Sequence, residues 1–183
     1  MTLLESELLY ATLTLIVRLG LLVLFVFSLV HKLRNLPLFN ENIRDYRLTA
    51  EGMNAVVAAA ILFVEFSIVI LLVAKPLIGF CLAGIMLLLY AGAMLVNLLR
   101  GRSTIDCGCG RAGAGQTISY ALVIRNIVIS LLAFLATQGL FVTSISQPQL
   151  LLGMAGLLVT VLLYSAINEL LVNAPKLKKL RTP

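Results

Sequence analysis

Residues 52–99 read GMNAVVAAAILFVEFSIVILLVAKPLIGFCLAGIMLLLYAGAMLVNLL. Only two of these side chains carry a charge: Glu65, and Lys75 beside Pro76 in the middle of the stretch. A helix of about 20 apolar residues, rising about 1.5 Å per residue, crosses the roughly 30 Å of a bilayer's hydrocarbon. The stretch therefore predicts two membrane spans, 52–74 and 77–99, joined by a very tight hairpin at Lys75-Pro76. Proline suits the first turn of the returning helix, where its missing N–H has no intrahelical partner to lose. The apolar residues are continuous rather than alternating, which argues against a membrane β-barrel.

Working outward, three further segments have the same character: 8–30, 118–140 and 150–172. The whole chain of 183 residues is 61% hydrophobic and 12% charged, with a mean hydropathy of +1.06. Soluble domains are closer to half apolar and a quarter charged. The composition thus excludes a disordered chain, a collagen, a disulfide-rich secreted domain and an ordinary soluble enzyme. The expected fold is all-α, a polytopic transmembrane helical bundle forming a single domain over 1–183. A loop at 100–117 and a basic tail at 173–183 complete it. Glu5 and Glu7 precede the first basic residue, Arg18, which argues against a cleavable signal. The sequence contains no phosphate-binding loop, haem-attachment motif or nucleophile elbow.

The charge of +6 is placed unevenly. With five spans, residues 31–51, residues 100–117 and the C-terminal tail share one side. That side holds Lys32, Arg34, Arg44, Arg47, Arg100, Arg102, Arg111, Lys176, Lys178, Lys179 and Arg181. The opposite side holds only Lys75. The positive-inside rule makes the first side cytoplasmic, with the N-terminus outside and the C-terminus inside. The basic balance is then loop charge, and no nucleic acid partner is expected; the surrounding lipid is.

Three charged residues lie within spans: Arg18, Glu65 and Arg125. Each would be costly against lipid, so each is expected to face the bundle interior with a partner. Counting along the helices from the Lys75 side puts Arg18 and Glu65 at nearly the same depth, roughly 15 Å in. This predicts an Arg18–Glu65 ion pair between the first two spans, either fixing register or handling protons or a quinone. Arg125 and Asn126 lie about two turns into the fourth span from the basic side, and Asn97 ends the third. Arg125 reads either as an anchor at the helix end or as a group that stabilises a thiolate or a quinone oxygen.

The most informative polar segment is Arg100-Gly101-Arg102-Ser103-Thr104-Ile105-Asp106-Cys107-Gly108-Cys109-Gly110-Arg111. Two cysteines one glycine apart can close a small, strained and therefore exchangeable disulfide ring. Arg102 and Arg111 would favour a thiolate, and Asp106 could move protons during exchange. A redox-active dithiol is the leading reading. A soft-metal site, with His31 as an extra ligand, and inert cysteines are the others; no metal is expected, because a closed zinc site needs two further ligands. Cys81 lies near the opposite face, roughly 30 Å away, and reads as a small buried apolar residue. His31, the sole histidine, ends the first span on the cysteine side and is either an interfacial polar residue or a proton carrier.

These residues resemble the MauE family, the membrane component of methylamine utilisation systems, related to DoxX-like proteins. The resemblance covers roughly residues 15–136. It rests on His31-Lys32-Leu33, Tyr46-Arg47-Leu48, Glu65, Asn97, Arg100-Gly101-Arg102, Ile105-Asp106-Cys107-Gly108-Cys109-Gly110, Gln116, Ser119 and Arg125-Asn126. It implies a redox-associated four-helix core, with the fifth span an addition, in a bacterial inner membrane. It also implies a thioredoxin-like partner or a disulfide-containing client, such as the small subunit of an amine dehydrogenase. On this reading, catalytic Cys107 and Cys109, assisted by Asp106 and His31, take electrons from a partner dithiol and pass them to a quinone. The quinone would be held near His31, Asn97, Arg125 and Asn126. Maturation of such a dehydrogenase is periplasmic, whereas the charge count puts both cysteines on the cytoplasmic side; the reading follows the charge count. The alternative is a non-enzymatic assembly or accessory subunit of a larger membrane complex.

Overall fold

The computed structural model describes residues 3–50, 52–105 and 117–138, and helical residues at 151, 153–159, 161–162, 165–166 and 170. The described residues form an all-α bundle: α1 (Leu3–Arg34), α2 (Leu36–Tyr46), α3 (Asn54–Ala74), α4 (Pro76–Leu99) and α5 (Tyr120–Ala136). Residues Leu9–Arg34 of α1, together with α3 and α4, are long and apolar enough to cross a membrane; α5 is a shorter apolar helix of 17 residues. The helix surfaces are greasy: Phe27, Phe63 and Leu99 are each at least 70% exposed. That is the expected dress of a bundle solvated by lipid rather than water.

The α3–α4 hairpin forms as the sequence requires. Lys75 ends α3, its N–H donating to the Leu71 carbonyl, and Pro76 opens α4. The close approach is possible because Gly79 has no side chain; a Cβ there would lie 2.5 Å from the Leu72 backbone nitrogen. Helices α4 and α5 also pack over a glycine. The Phe134 ring sits on Gly84, and the Ser130 hydroxyl donates to the Gly84 carbonyl at 2.9 Å. Small residues that let helices close in, and hydroxyls that bond across them, are the usual means of helix association in lipid. Phe25, Ile68, Leu72, Phe80 and Ala83 fill the centre. Described helical residues beyond α5 lie against α1, with Gly153 under Leu15 and Gly156 under Ile16.

Residues 31–51, expected to be a loop, are mostly helical. α1 runs on to Arg34, and Asn35 then caps α2, its side chain accepting from the Leu38 N–H, with Pro37 in the first turn. Asparagine at a cap followed by proline at the start is a strong helix-opening signal. α2 carries its apolar residues on one face and buries Phe39. It ends at Arg47, whose φ of 47° is a left-handed cap.

Candidate functional site

Glu65 stands mid-way along α3 with no exposed surface. A carboxylate so deep in an apolar helix needs a cation, and the structure supplies Lys32 rather than Arg18. The Lys32 Nζ lies 2.5 Å from Glu65 Oε1, and the lysine side chain is 3% exposed. The same oxygen accepts from Tyr90 of α4 at 2.7 Å and from Ser28 of α1 at 3.1 Å. Lys32 also donates to the Tyr90 hydroxyl oxygen at 2.8 Å. Three donors thus converge on Oε1, whereas the buried Oε2 makes no hydrogen bond among the described residues. Ser28 and Lys32 are four residues apart and share one face of α1.

The expected Arg18–Glu65 pair is therefore corrected. Arg18 Nε donates to the Leu72 carbonyl at 2.6 Å and its Nη2 to the Val73 carbonyl at 2.9 Å. The last carbonyls of any helix lack intrahelical donors, and here Pro76 cannot supply one. Arg18 fills that gap at the negative end of the α3 dipole. Glu65 lies seven residues, about 10 Å, further along α3. Long helical side chains lean towards their own N-terminus, so Lys32, rather than Arg18, leans back to the depth of Glu65. The signal was present in the sequence: an intramembrane glutamate, with Ser28 and Lys32 on one face of the preceding helix. It was missed because Lys32 was counted as a loop charge.

Lys32 and Tyr90 also line a cavity of about 370 Å³ between α2, α3 and α4. Its walls are otherwise mostly apolar and include Phe39, Ile43, Tyr46, Ile61, Val64 and Met94. The volume falls within the range of small-molecule sites, and so does the chemistry: apolar walls with a few convergent polar groups. The Lys32 Nζ sits 5.2 Å from the Phe39 ring centre and 4.8 Å from that of Tyr90, both within cation–π range.

Tyr46 connects the cavity with the residues that flank the cysteine segment in sequence. It lines the cavity and also packs against a buried cluster of Ala91, Met94, Ile105, Ile118, Leu122 and Val123. Ile105 and Ile118 flank the cysteines in sequence, and the Ile118 N–H donates to the Ile105 carbonyl at 2.9 Å. The chain thus departs towards the cysteines and returns from them at one point. Asp106, Cys107 and Cys109 themselves lie outside the described residues. Arg102, expected to favour a thiolate, is tied to the end of α4: its N–H donates to the Asn97 carbonyl and its Nη1 to Asn97 Oδ1 at 3.2 Å.

The other expected site residues are placed apart from the cavity. Asn97 is fully buried and donates to the Ala93 carbonyl, which makes it part of the α4 terminus. Asn126 is buried on α5, its Nδ2 without a hydrogen-bond partner among the described residues, and Arg125 beside it is half-buried. His31 is half-buried and faces a small pocket lined also by Lys32, Asn35 and Asn42. None of these four lines the larger cavity. Cys81, expected to be buried, is a half-buried free thiol on α4.

Comparison with known proteins points to one family. The family model described as methylamine utilisation protein MauE matches residues 10–139. The chain is 38% identical over 125 residues to the methylamine utilization protein MauE of Paracoccus denitrificans, covering 67% of each chain. It is 35% identical over 123 residues to the protein of that name from Methylorubrum extorquens, covering 66% of each. With that from Methylophilus methylotrophus it shares 28% identity over 153 residues, covering 81% of this chain and 80% of the relative. No solved structure matches.

Proposed function

The chain belongs to the MauE family of methylamine utilisation proteins, and from that premise we propose that it is an integral membrane thiol–disulfide oxidoreductase linked to a quinone. One observation carries the reading. The point where the chain leaves for and returns from Cys107 and Cys109 shares the Tyr46 side chain with an apolar cavity of about 370 Å³. A dithiol segment and a chamber for an apolar oxidant would then be neighbours at one end of the bundle.

In the proposed cycle, a partner dithiol attacks the Cys107–Cys109 disulfide. It forms a mixed disulfide and then leaves oxidised, with both cysteines reduced. The Cys107–Cys109 dithiol next gives two electrons and two protons to a quinone, which becomes a quinol as the S–S bond re-forms. Asp106 and His31 are the candidate proton carriers. The client is a disulfide-containing protein on the membrane side that the cysteine segment faces, reached directly or through a thioredoxin-like partner; an amine dehydrogenase subunit qualifies only if that side is the periplasm. The site of action is a bacterial inner membrane.

The test counts thiols in the purified full-length protein in lipid nanodiscs. After mild reduction, a short-chain ubiquinone analogue should remove two of the three reactive thiols, leaving Cys81. Cys107→Ser and Cys109→Ser should each abolish the change. Thiols that persist in the presence of quinone refute the redox reading and leave a non-enzymatic assembly subunit.

A further inference from the structure

We propose that the cavity between α2, α3 and α4 binds the head of a membrane quinone, and that Lys32 recognises it by donating a hydrogen bond to one quinone carbonyl. This inference rests on the quinone-linked reading above and gives it a site that differs from the one expected near Arg125.

The donor inventory singles out Lys32. Its ammonium has three N–H groups. Glu65 Oε1 takes one and the Tyr90 oxygen takes a second, which leaves the third for an occupant of the cavity that Lys32 lines. Tyr90 has spent its only proton on Glu65. Charge then selects the kind of acceptor. Lys32 and Glu65 together sum to zero, so an anionic headgroup would meet the carboxylate as well as the ammonium. A neutral carbonyl oxygen takes the spare N–H without that repulsion. Phe39, Tyr46 and Tyr90 offer ring surfaces to a flat head. Entry is from the bilayer: the wall residues Ala60 and Leu89 are exposed on the outside of the bundle, Leu89 by 63%. An isoprenoid tail could leave by the same side.

The electron balance is that of the cycle above: two thiols lose two electrons and two protons as one S–S bond forms, and the bound quinone gains both to become a quinol. Lys32 holds the acceptor oxygen and is not itself oxidised or reduced.

Equilibrium binding of a short-chain ubiquinone analogue to the full-length protein in nanodiscs tests the site. Ala93→Phe places a ring in the cavity while leaving Lys32 and Glu65 in place, and is expected to weaken binding by roughly tenfold or more. Lys32→Met combined with Glu65→Met removes the donor while leaving no charge unpaired, and is expected to weaken binding by a similar factor. Helical content by circular dichroism reports whether each variant is folded. A folded Ala93→Phe protein that binds as the parent does overturns the inference, and so does displacement of the quinone by phosphatidylglycerol. The thiol–disulfide reading is decided separately, by exchange between the oxidised parent protein and a dithiol peptide, which involves no quinone. Binding without exchange sinks that reading alone; exchange without binding sinks this inference alone.

Discussion

At the scale of single residues, the ion pair between Lys32 and Glu65 governs the interior. Both side chains are withdrawn from solvent and lipid, and each is intelligible only through the other. Removing one partner of a buried pair leaves an uncompensated charge, which costs about 3–5 kcal/mol, whereas replacing both by apolar residues is far milder. Lys32→Met alone should therefore destabilise the protein by about that much, and adding Glu65→Met should recover most of the loss, as read from denaturant midpoints in detergent. Arg18 behaves differently. It serves the carbonyls of Leu72 and Val73, so Arg18→Met should cost about 1–3 kcal/mol and speed hydrogen exchange at the α3–α4 turn. A double-mutant cycle between Arg18 and Glu65 should show coupling below about 0.5 kcal/mol. A larger value would return Arg18 to the role the depth count assigned it.

At the scale of elements, the bundle closes where side chains are missing. Gly79 and Gly84 face a neighbouring helix at contact distance, whereas no described atom lies within 4 Å of a Cβ built on Gly92 of the same α4. Gly79→Ala should therefore cost about 1–3 kcal/mol through overpacking against the α3 backbone, and Gly92→Ala should be neutral or slightly stabilising. Thermal unfolding of the two variants side by side decides it, and equal midpoints would contradict the packing described. α2 is the element that makes the site. Its Phe39, Ile43 and Tyr46 supply one wall of the cavity, and without it the Lys32 ammonium would face open membrane interface. The cues for this helix, Asn35 and Pro37, are local and legible. They were outweighed by the polar composition of 31–51, because a short amphipathic helix at a bilayer edge lacks the long apolar run by which spans are recognised.

At the scale of the whole molecule, the described bundle is greasy outside and polar at a few chosen points inside, and the sequence distributes its loop basic residues unevenly. Withdrawing Lys32 from the loop count leaves ten basic residues against Lys75, so the bias stands. The charge asymmetry predicts that Cys107 and Cys109 resist a membrane-impermeant maleimide in intact spheroplasts and react after lysis; labelling of intact spheroplasts would reverse the orientation. Fold class and family could be read without coordinates. So could the candidacy of Glu65 for an interior partner. These depend on quantities local in the chain: run lengths of apolar residues, a proline at a turn, a cysteine–glycine string. Which cation meets Glu65, and where a chamber opens, depended on the axial offset between α1 and α3 and on how far α1 extends beyond its apolar run. Those are properties of packing between helices far apart in sequence. Arg18 and Lys32 stand 14 residues, nearly four turns, apart on α1, and a slide of that size exchanges one basic partner for the other without altering a single residue, so only the tertiary structure decided them.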